Sequence, residues 1–304
     1  MTLAYLILLL RYGYTTKAPA IASPGVGDYL CAHNVLLANA AAYHLYKEKY
    51  FSTQRGKVGI CLNAGHSYPR NETVNQSVAE RAIQFDLGKF ANPIFGDGGY
   101  PQVMIDMIGN KSQTEGRPWS RLPVMTPAVR YFIKGSADFL ALNYYSSGLV
   151  SDRAEDPNVP ISWWADTNTN GHQDPSWKRA KSEWLFSVPQ GLHDLLVWIK
   201  DRYNNPTVMI TENGWSDEGE IQDDDRVDYL KAHLAAVSTA ITEKNCKVVA
   251  YTVWSLTDNF EWKMGYTERF GIHFIDFNST DKTRVPKKSA EFFKEFMKSK
   301  SFEF

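Results

Sequence analysis

A chain of 304 residues can hold one large domain or two modest ones, and 43% hydrophobic with 22% charged residues is the balance of an ordinary globular protein. The net charge of -1 gives no electrostatic basis for binding nucleic acid or an anionic membrane. Three cysteines, Cys31, Cys61 and Cys246, are too few and wrongly spaced for a disulfide framework or a metal centre, so buried free thiols are expected.

The apolar run from Leu3 to Leu10 is too short to span a bilayer. It also lacks the preceding positive charge and the cleavage site of a well-formed signal peptide. Residues 29–50 are predicted as a helix capped by Asp28, with Leu30, Leu37, Ala41 and Leu45 on one face. Val58 to Leu62 reads as a strand, residues 77–90 as a helix with periodic Val78, Ala82, Phe85 and Leu87, and Tyr100 to Ile108 as a shorter helix. Thr126-Pro127 opens another, with Thr as the cap and Pro in the first turn.

Phe139 to Tyr144 is predicted as a strand, extended by a hairpin arm near Leu149-Val150. Residues 153–183 are polar and loop-like, and a loop of that length in a compact domain is usually functional. From Pro189, the residues Leu192, Leu195, Leu196, Ile199 and Tyr203 follow helical spacing. Val208 to Ile210 is a strand, Asp225 to Lys244 a helix, Val248 to Trp254 a strand, Gly271 to Phe277 another, and residues 287–299 a final amphipathic helix. This alternation points to parallel βα units in a single domain. His66, Asn143, Tyr145, Glu212, Trp254 and Glu261 then gather at the C-terminal ends of strands, the face where a β/α barrel places its active site.

Val208-Met209-Ile210-Thr211-Glu212-Asn213-Gly214 delivers one carboxylate to a strand end, positioned and still reachable. Such a group can attack an anomeric carbon. A phenol at Tyr145 could donate to it and keep it aimed. Trp254, Glu261 and Trp262 supply a stacking face and acceptors suited to a polyol. Asp166 to Gly171 imitates the start of a calcium loop, but its twelfth position is Trp177 instead of Glu. Gly96 to Gly99 reads as a plain turn. No metal and no cofactor are expected.

These motifs together resemble glycoside hydrolase family 1, the β-glucosidases and myrosinases. The resemblance rests on Tyr29-Leu30-Cys31-Ala32-His33-Asn34, Gly59-Ile60, Phe90 to Ile94, Asp138 to Tyr145, Ile210 to Gly214, Trp254 to Trp262, and Arg269-Phe270-Gly271, and runs from about Gly13 to near the C-terminus. It implies a (β/α)8 TIM barrel and retaining hydrolysis of O-glycosyl compounds. Glu212 would be the nucleophile, Tyr145 its orienting partner, and Asn143, Trp254, Glu261, Trp262 and Phe270 the sugar contacts.

The family's acid/base Glu lies in an Asn-Glu-Pro motif, which this chain lacks; its one Asn-Glu, Asn71-Glu72, is followed by Thr and misplaced. The expectation is therefore an N-terminally truncated catalytic domain over 1–304. It would hold about strands 5–8 with their helices, with strands 1–4 missing and an apolar segment at 1–12 outside the family pattern. Such a chain would be impaired, a non-catalytic sugar-binding remnant, or active on thioglucosides whose aglycone leaves unprotonated. Its partner is a small-molecule glycoside, with self-association through exposed barrel edges. Four sequons, at Asn71, Asn75, Asn110 and Asn278, favour a secreted or lumenal full-length protein.

Overall fold

The computed structural model describes residues 21–156 and 158–301. The apolar segment at 1–12 lies outside them. Four parallel strands form the central sheet: β1 (Gly59–Asn63), β3 (Phe139–Asn143), β6 (Val208–Asn213) and β7 (Val248–Val253), ordered β1-β3-β6-β7. β1, β3 and β7 fall within a residue of the predicted strands, and β6 runs three residues past the predicted Ile210. Between them run α1 (Gly27–Lys49) and α2 (Phe51–Gln54) ahead of β1. Next come β2 (Ser67–Pro69), α3 (Gln76–Ile83), α4 (Lys89–Phe95), α5 (Gln102–Thr114) and α6 (Pro127–Ile133). A small second sheet joins β2 to the hairpin of β4 (Gly148–Asp152) and β5 (Thr169–His172). The chain continues through α8 (Pro189–Arg202), α9 (Asp224–Thr242), β8 (His273–Ile275), β9 (Arg284–Pro286) and α10 (Lys288–Ser299), with a one-turn helix α7 at Trp163–Asp166. No helix among the described residues is long and apolar enough to cross a membrane.

The predicted face of α8 is the buried one: Leu192, Leu195, Leu196 and Ile199 all lie in the core, and Tyr203 follows at its end. Helix α1 corrects the prediction. Its buried side is Tyr29, Ala32, Leu36 and Ala40, while Leu30 and Leu45 are 51% and 47% exposed. An alanine-rich helix offers two plausible apolar stripes, and the one with the smaller residues is the one that packs. Asp28 is not the cap either. The helix starts at Gly27, and the buried Asp28 carboxylate accepts from the backbone N–H groups of Gly25, Tyr29 and Trp163.

Three further boundaries differ. The helix predicted over 77–90 is α3, a π-helical turn at Gln84–Gly88, and then α4, which keeps Phe85 and Leu87 buried across the change of pitch. The helix at 100–108 runs on to Thr114 as α5. The strand expected over 271–277 is the short β8, which pairs antiparallel with β9 and not with the central sheet. Cys31 and Cys61 are half-buried; Cys246 alone of the three is buried.

The polar stretch 153–183 is held more firmly than its composition implies. It contains α7 and β5, and Asp166 is its anchor. The buried Asp166 carboxylate takes a two-pronged ion pair from Arg121, at 2.7 and 2.8 Å, and a 2.7 Å hydrogen bond from Tyr29 Oη. The calcium-like start of this segment is thus committed to protein donors. Trp163 adds a bond from Nε1 to the Phe85 carbonyl at 3.1 Å. Removing one member of a buried pair strands the other charge. Asp166→Ala is therefore expected to destabilise the fold by about 3–5 kcal/mol. Urea denaturation checks this, and a loss under about 1 kcal/mol, the range of an exposed pair, would refute it.

Candidate active site

Glu212 sits at the C-terminal end of β6, where the ladder to β3 shifts register so that Asn143 faces Glu212. Asn63, Asn143 and Glu212 thereby form one row across three strands. A break of register beside a reactive group re-aims its side chain. Beyond the shift, Tyr144 donates its N–H to the Glu212 carbonyl at 2.9 Å, and Trp254 donates its own to the Asn213 carbonyl at 2.9 Å. Gly214 follows because nothing larger fits: a Cβ there would lie 1.8 Å from the Trp254 carbonyl oxygen.

Glu212 is 3% exposed. Tyr145 Oη donates to its Oε2 at 2.7 Å, and Oε1 is buried with no hydrogen-bond partner among the described residues. Burial pushes the Glu212 carboxyl up to about 7; hydrogen bonding from Tyr145 and Asn143 opposes this, and the nearby Glu261 adds to it. Asn143 is fixed in turn. Its Oδ1 accepts from Thr211 Oγ1 at 2.7 Å and Cys61 Sγ at 3.2 Å, and Cys61 remains a thiol because burial pushes it up to about 12.

The loop after β7 brings the second group. Trp254 Nε1 donates to Glu261 Oε1 at 3.3 Å, and burial raises the Glu261 carboxyl above its ordinary range. The Trp254–Ser255 peptide is cis. Trp262 opens a 3-10 turn with positive φ and is 45% exposed. Phe270 is buried and meets the Tyr145 ring edge-on at 6.1 Å. Tyr145, Glu212, Trp254, Glu261 and Phe270 thus gather on one face, with Asn143 beneath them. His66 lies apart, against Tyr68 beside β2.

Several neighbours were not read from the sequence. Trp184 is 53% exposed, lies nearly parallel to Phe270 at 6.5 Å and edge-on to Tyr145 at 5.6 Å, and so forms an open lip to the site. Its signal was one more Trp just past the end of a polar, Trp-rich stretch. Below the loops lies a buried ionic cluster. Arg226 pairs with Asp217 and with Asp223, and its Nη1 donates to the Trp215 carbonyl at 2.8 Å. Lys287 Nζ lies 3.2 Å from Asp217 and 3.6 Å from Asp258. Asp258 accepts from the Gly271 N–H at 3.0 Å and pairs with Arg269 at 3.4 Å. This cluster ties the loop after Glu212 to the loop carrying Glu261.

Comparison with known proteins gives a consistent set. The family model for Glycosyl hydrolase family 1 matches residues 4–302. Myrosinase 1 of Brevicoryne brassicae is 41% identical over 287 residues, covering 93% of this chain and 61% of that protein. A solved aphid myrosinase superposes with a TM-score of 0.88 at 39% identity, over 96% of this chain and 63% of its own. A rice β-glucosidase mutant, solved in a covalent complex with Glc, gives 0.82 at 35% identity over 90% and 57%. The chain therefore spans about three-fifths of the length of these three relatives.

The raised carboxyl of Glu212 predicts a stability signature. Its folded value lies above the unfolded one, so ionising it costs the native state as pH climbs from about 4.5 to about 7. Glu212→Gln should match wild type in stability below that window and exceed it by up to about 3 kcal/mol above. Denaturant melts at pH 4 and pH 8 measure both ends, and a difference independent of pH would contradict the assignment.

Proposed function

The chain belongs to glycosyl hydrolase family 1, a (β/α)8-barrel family, and we propose that it acts as a single catalytic domain cleaving β-glycosides with retention, through a covalent glycosyl-enzyme on Glu212. The observation that carries this is the split environment of the Glu212 carboxylate. Oε2 is held by Tyr145, while Oε1 is buried and has no hydrogen-bond partner among the described residues. Oε1 attacks the anomeric carbon as the bond to the aglycone breaks, and water later displaces the sugar from Glu212. Glu261, with Trp254 and Trp262, accepts and stacks the sugar, Asn143 lies alongside, and Phe270 closes the pocket.

The leaving aglycone needs a proton, and the 304 residues hold no Asn-Glu-Pro to supply it. Within this polypeptide the aglycone leaves as an anion, so activity is impaired for ordinary glycosides. A general acid typically contributes about 10²–10⁴-fold. Thioglucosides are the second reading. Their aglycone departs without protonation, and the similarity to Myrosinase 1 favours it. We also read the four parallel strands as roughly strands 5–8 of the eight, with the outer edges of β1 and β7, unpaired among the described residues, available for pairing between copies. All four sequon asparagines are exposed, which suits a secreted or lumenal full-length protein.

Two outcomes are expected. A dinitrophenyl 2-deoxy-2-fluoro-β-glucoside should label Glu212 covalently, detected by peptide mass spectrometry, whereas an alkyl glucoside should be turned over at least about 10²-fold more slowly than an activated aryl one. Equal labelling of wild type and Glu212→Gln, or no labelling of either, would favour a non-catalytic sugar-binding remnant. In analytical ultracentrifugation the isolated chain should associate with rising concentration. A monodisperse monomer that melts cooperatively would exclude pairing through its sheet edges.

A further inference from the structure

Helix α9 reaches the active site through a single hydroxyl. Tyr229, buried on that helix, donates from Oη to the main-chain carbonyl of Tyr145 at 2.7 Å and accepts from Asn213 Nδ2 at 2.9 Å. The two residues it grips border the reacting carboxylate. Tyr145 supplies the phenol on Glu212 Oε2, and Asn213 follows Glu212 in the strand.

The sheet does not fix Tyr145 by itself. Strand β3 ends at Asn143, and the last ladder contact toward β6 beyond it is the N–H of Tyr144 on the Glu212 carbonyl. The Tyr145 carbonyl lies one residue further on, where Tyr229 takes it. Asn213 is braced at three points: Nδ2 also donates to the Tyr144 carbonyl at 2.8 Å, and Oδ1 accepts from Tyr251 Oη. The Tyr229 ring is held between Trp215, with centroids 5.2 Å apart, and His233, with centroids 3.8 Å apart. His233 is buried and pushed down to about 3, so it stays neutral. Burial also holds the Tyr229 phenol far above its ordinary range, which keeps it a neutral donor.

We propose that Tyr229 is a positioning residue, which locks the backbone of Tyr145 so that its phenol meets Glu212 and leaves the opposite carboxylate oxygen free to react. The proposal rests on Glu212 being the reacting carboxylate. If Tyr229 merely filled the core, its hydroxyl could go without altering how Glu212 binds its proton. Among the described residues, the groups facing Glu212 are Cys61 on β1, Asn143 and Tyr145 at the end of β3, and Glu261 beyond β7. Tyr229 touches none of their side chains in the hydrogen bonds it makes, so its effect on Glu212 passes through the Tyr145 backbone or through Asn213, and loosening Asn213 from its Tyr251 end separates the two routes.

The test is a carboxyl ¹³C-NMR titration of protein labelled at Glu, with the Glu212 resonance assigned by its loss in Glu212→Gln. Tyr145→Phe removes the donor and should raise the midpoint by about one pH unit. Tyr229→Phe should raise it by at least half as much, with Tyr145 still present. Tyr251→Phe, which loosens only the far end of Asn213, should leave it in place. A Tyr229→Phe midpoint on the wild-type curve while Tyr145→Phe moves would overturn the proposal, as would an equal shift in Tyr251→Phe. Where Tyr229→Phe does not fold, 3-fluorotyrosine placed at 229 keeps the ring and hydroxyl but strengthens the donor, and an unmoved midpoint there has the same consequence. Failure of the fluoroglucoside to label Glu212 counts against the catalytic reading alone, because the titration needs no turnover.

Discussion

Keeping the Glu212 carboxylate out of water costs the fold about 3 kcal/mol at neutral pH, even after hydrogen bonding from its neighbours has returned part of the desolvation penalty. The Tyr145 phenol holds one oxygen, and the other has no hydrogen-bond partner among the described residues. Most of what is unusual nearby follows from that imbalance. The register shift opposite Asn143 brings an amide up to the group, Thr211 and Cys61 fix the amide, and Gly214 lets β7 close in behind. On the proposed role of Glu212, a charge kept short of partners is poorly stabilised and correspondingly reactive, so the defect in stability and the proposed chemistry have one origin.

The loops need the opposite treatment. Glu261 and Trp254 come from a segment with no regular structure, and an unsupported loop would not hold a carboxylate beside an indole. Support comes from below, where Arg226 and Lys287 are buried with Asp223 and Asp258, and the half-buried Asp217 and Arg269 complete the cluster. Buried ion pairs contribute little net stability against well-packed apolar side chains, but their geometry is restrictive. Here the restriction falls on the two loops that must stay in register.

Legibility in the sequence followed how much each residue's setting depends on distant parts of the chain. The strand delivering Glu212 was readable because three apolar residues running into Thr-Glu-Asn-Gly carry both the burial and the stop. Helix α8 was readable because its apolar residues occupy one stripe. Helix α1 was read on the wrong face, since alanines and leucines compete for two stripes and the choice is made by Ile60, Leu62 and Ile94 in the core they join. Gly271 to Phe277 showed an apolar run but not its partner, which lies at 284–286. Tyr229 and Trp184 were invisible for the same reason: a tyrosine on a helix reads as core, and a tryptophan after a polar loop reads as surface. Only contacts with Tyr145 and Phe270 give either a meaning.

The order β1-β3-β6-β7 also bears on how the chain assembles. Each strand's partner is the next principal strand along the sequence, and the connection through α9 is the shortest of the three. Loop-closure entropy rises with connection length, so β6–α9–β7 is the unit with the least to lose on closing. That unit alone carries Glu212, Asn213, Tyr229 and the approach to Trp254. The chemical end of the sheet is therefore also its most local part, and it can reach its geometry before the long excursion from β3 has found its place.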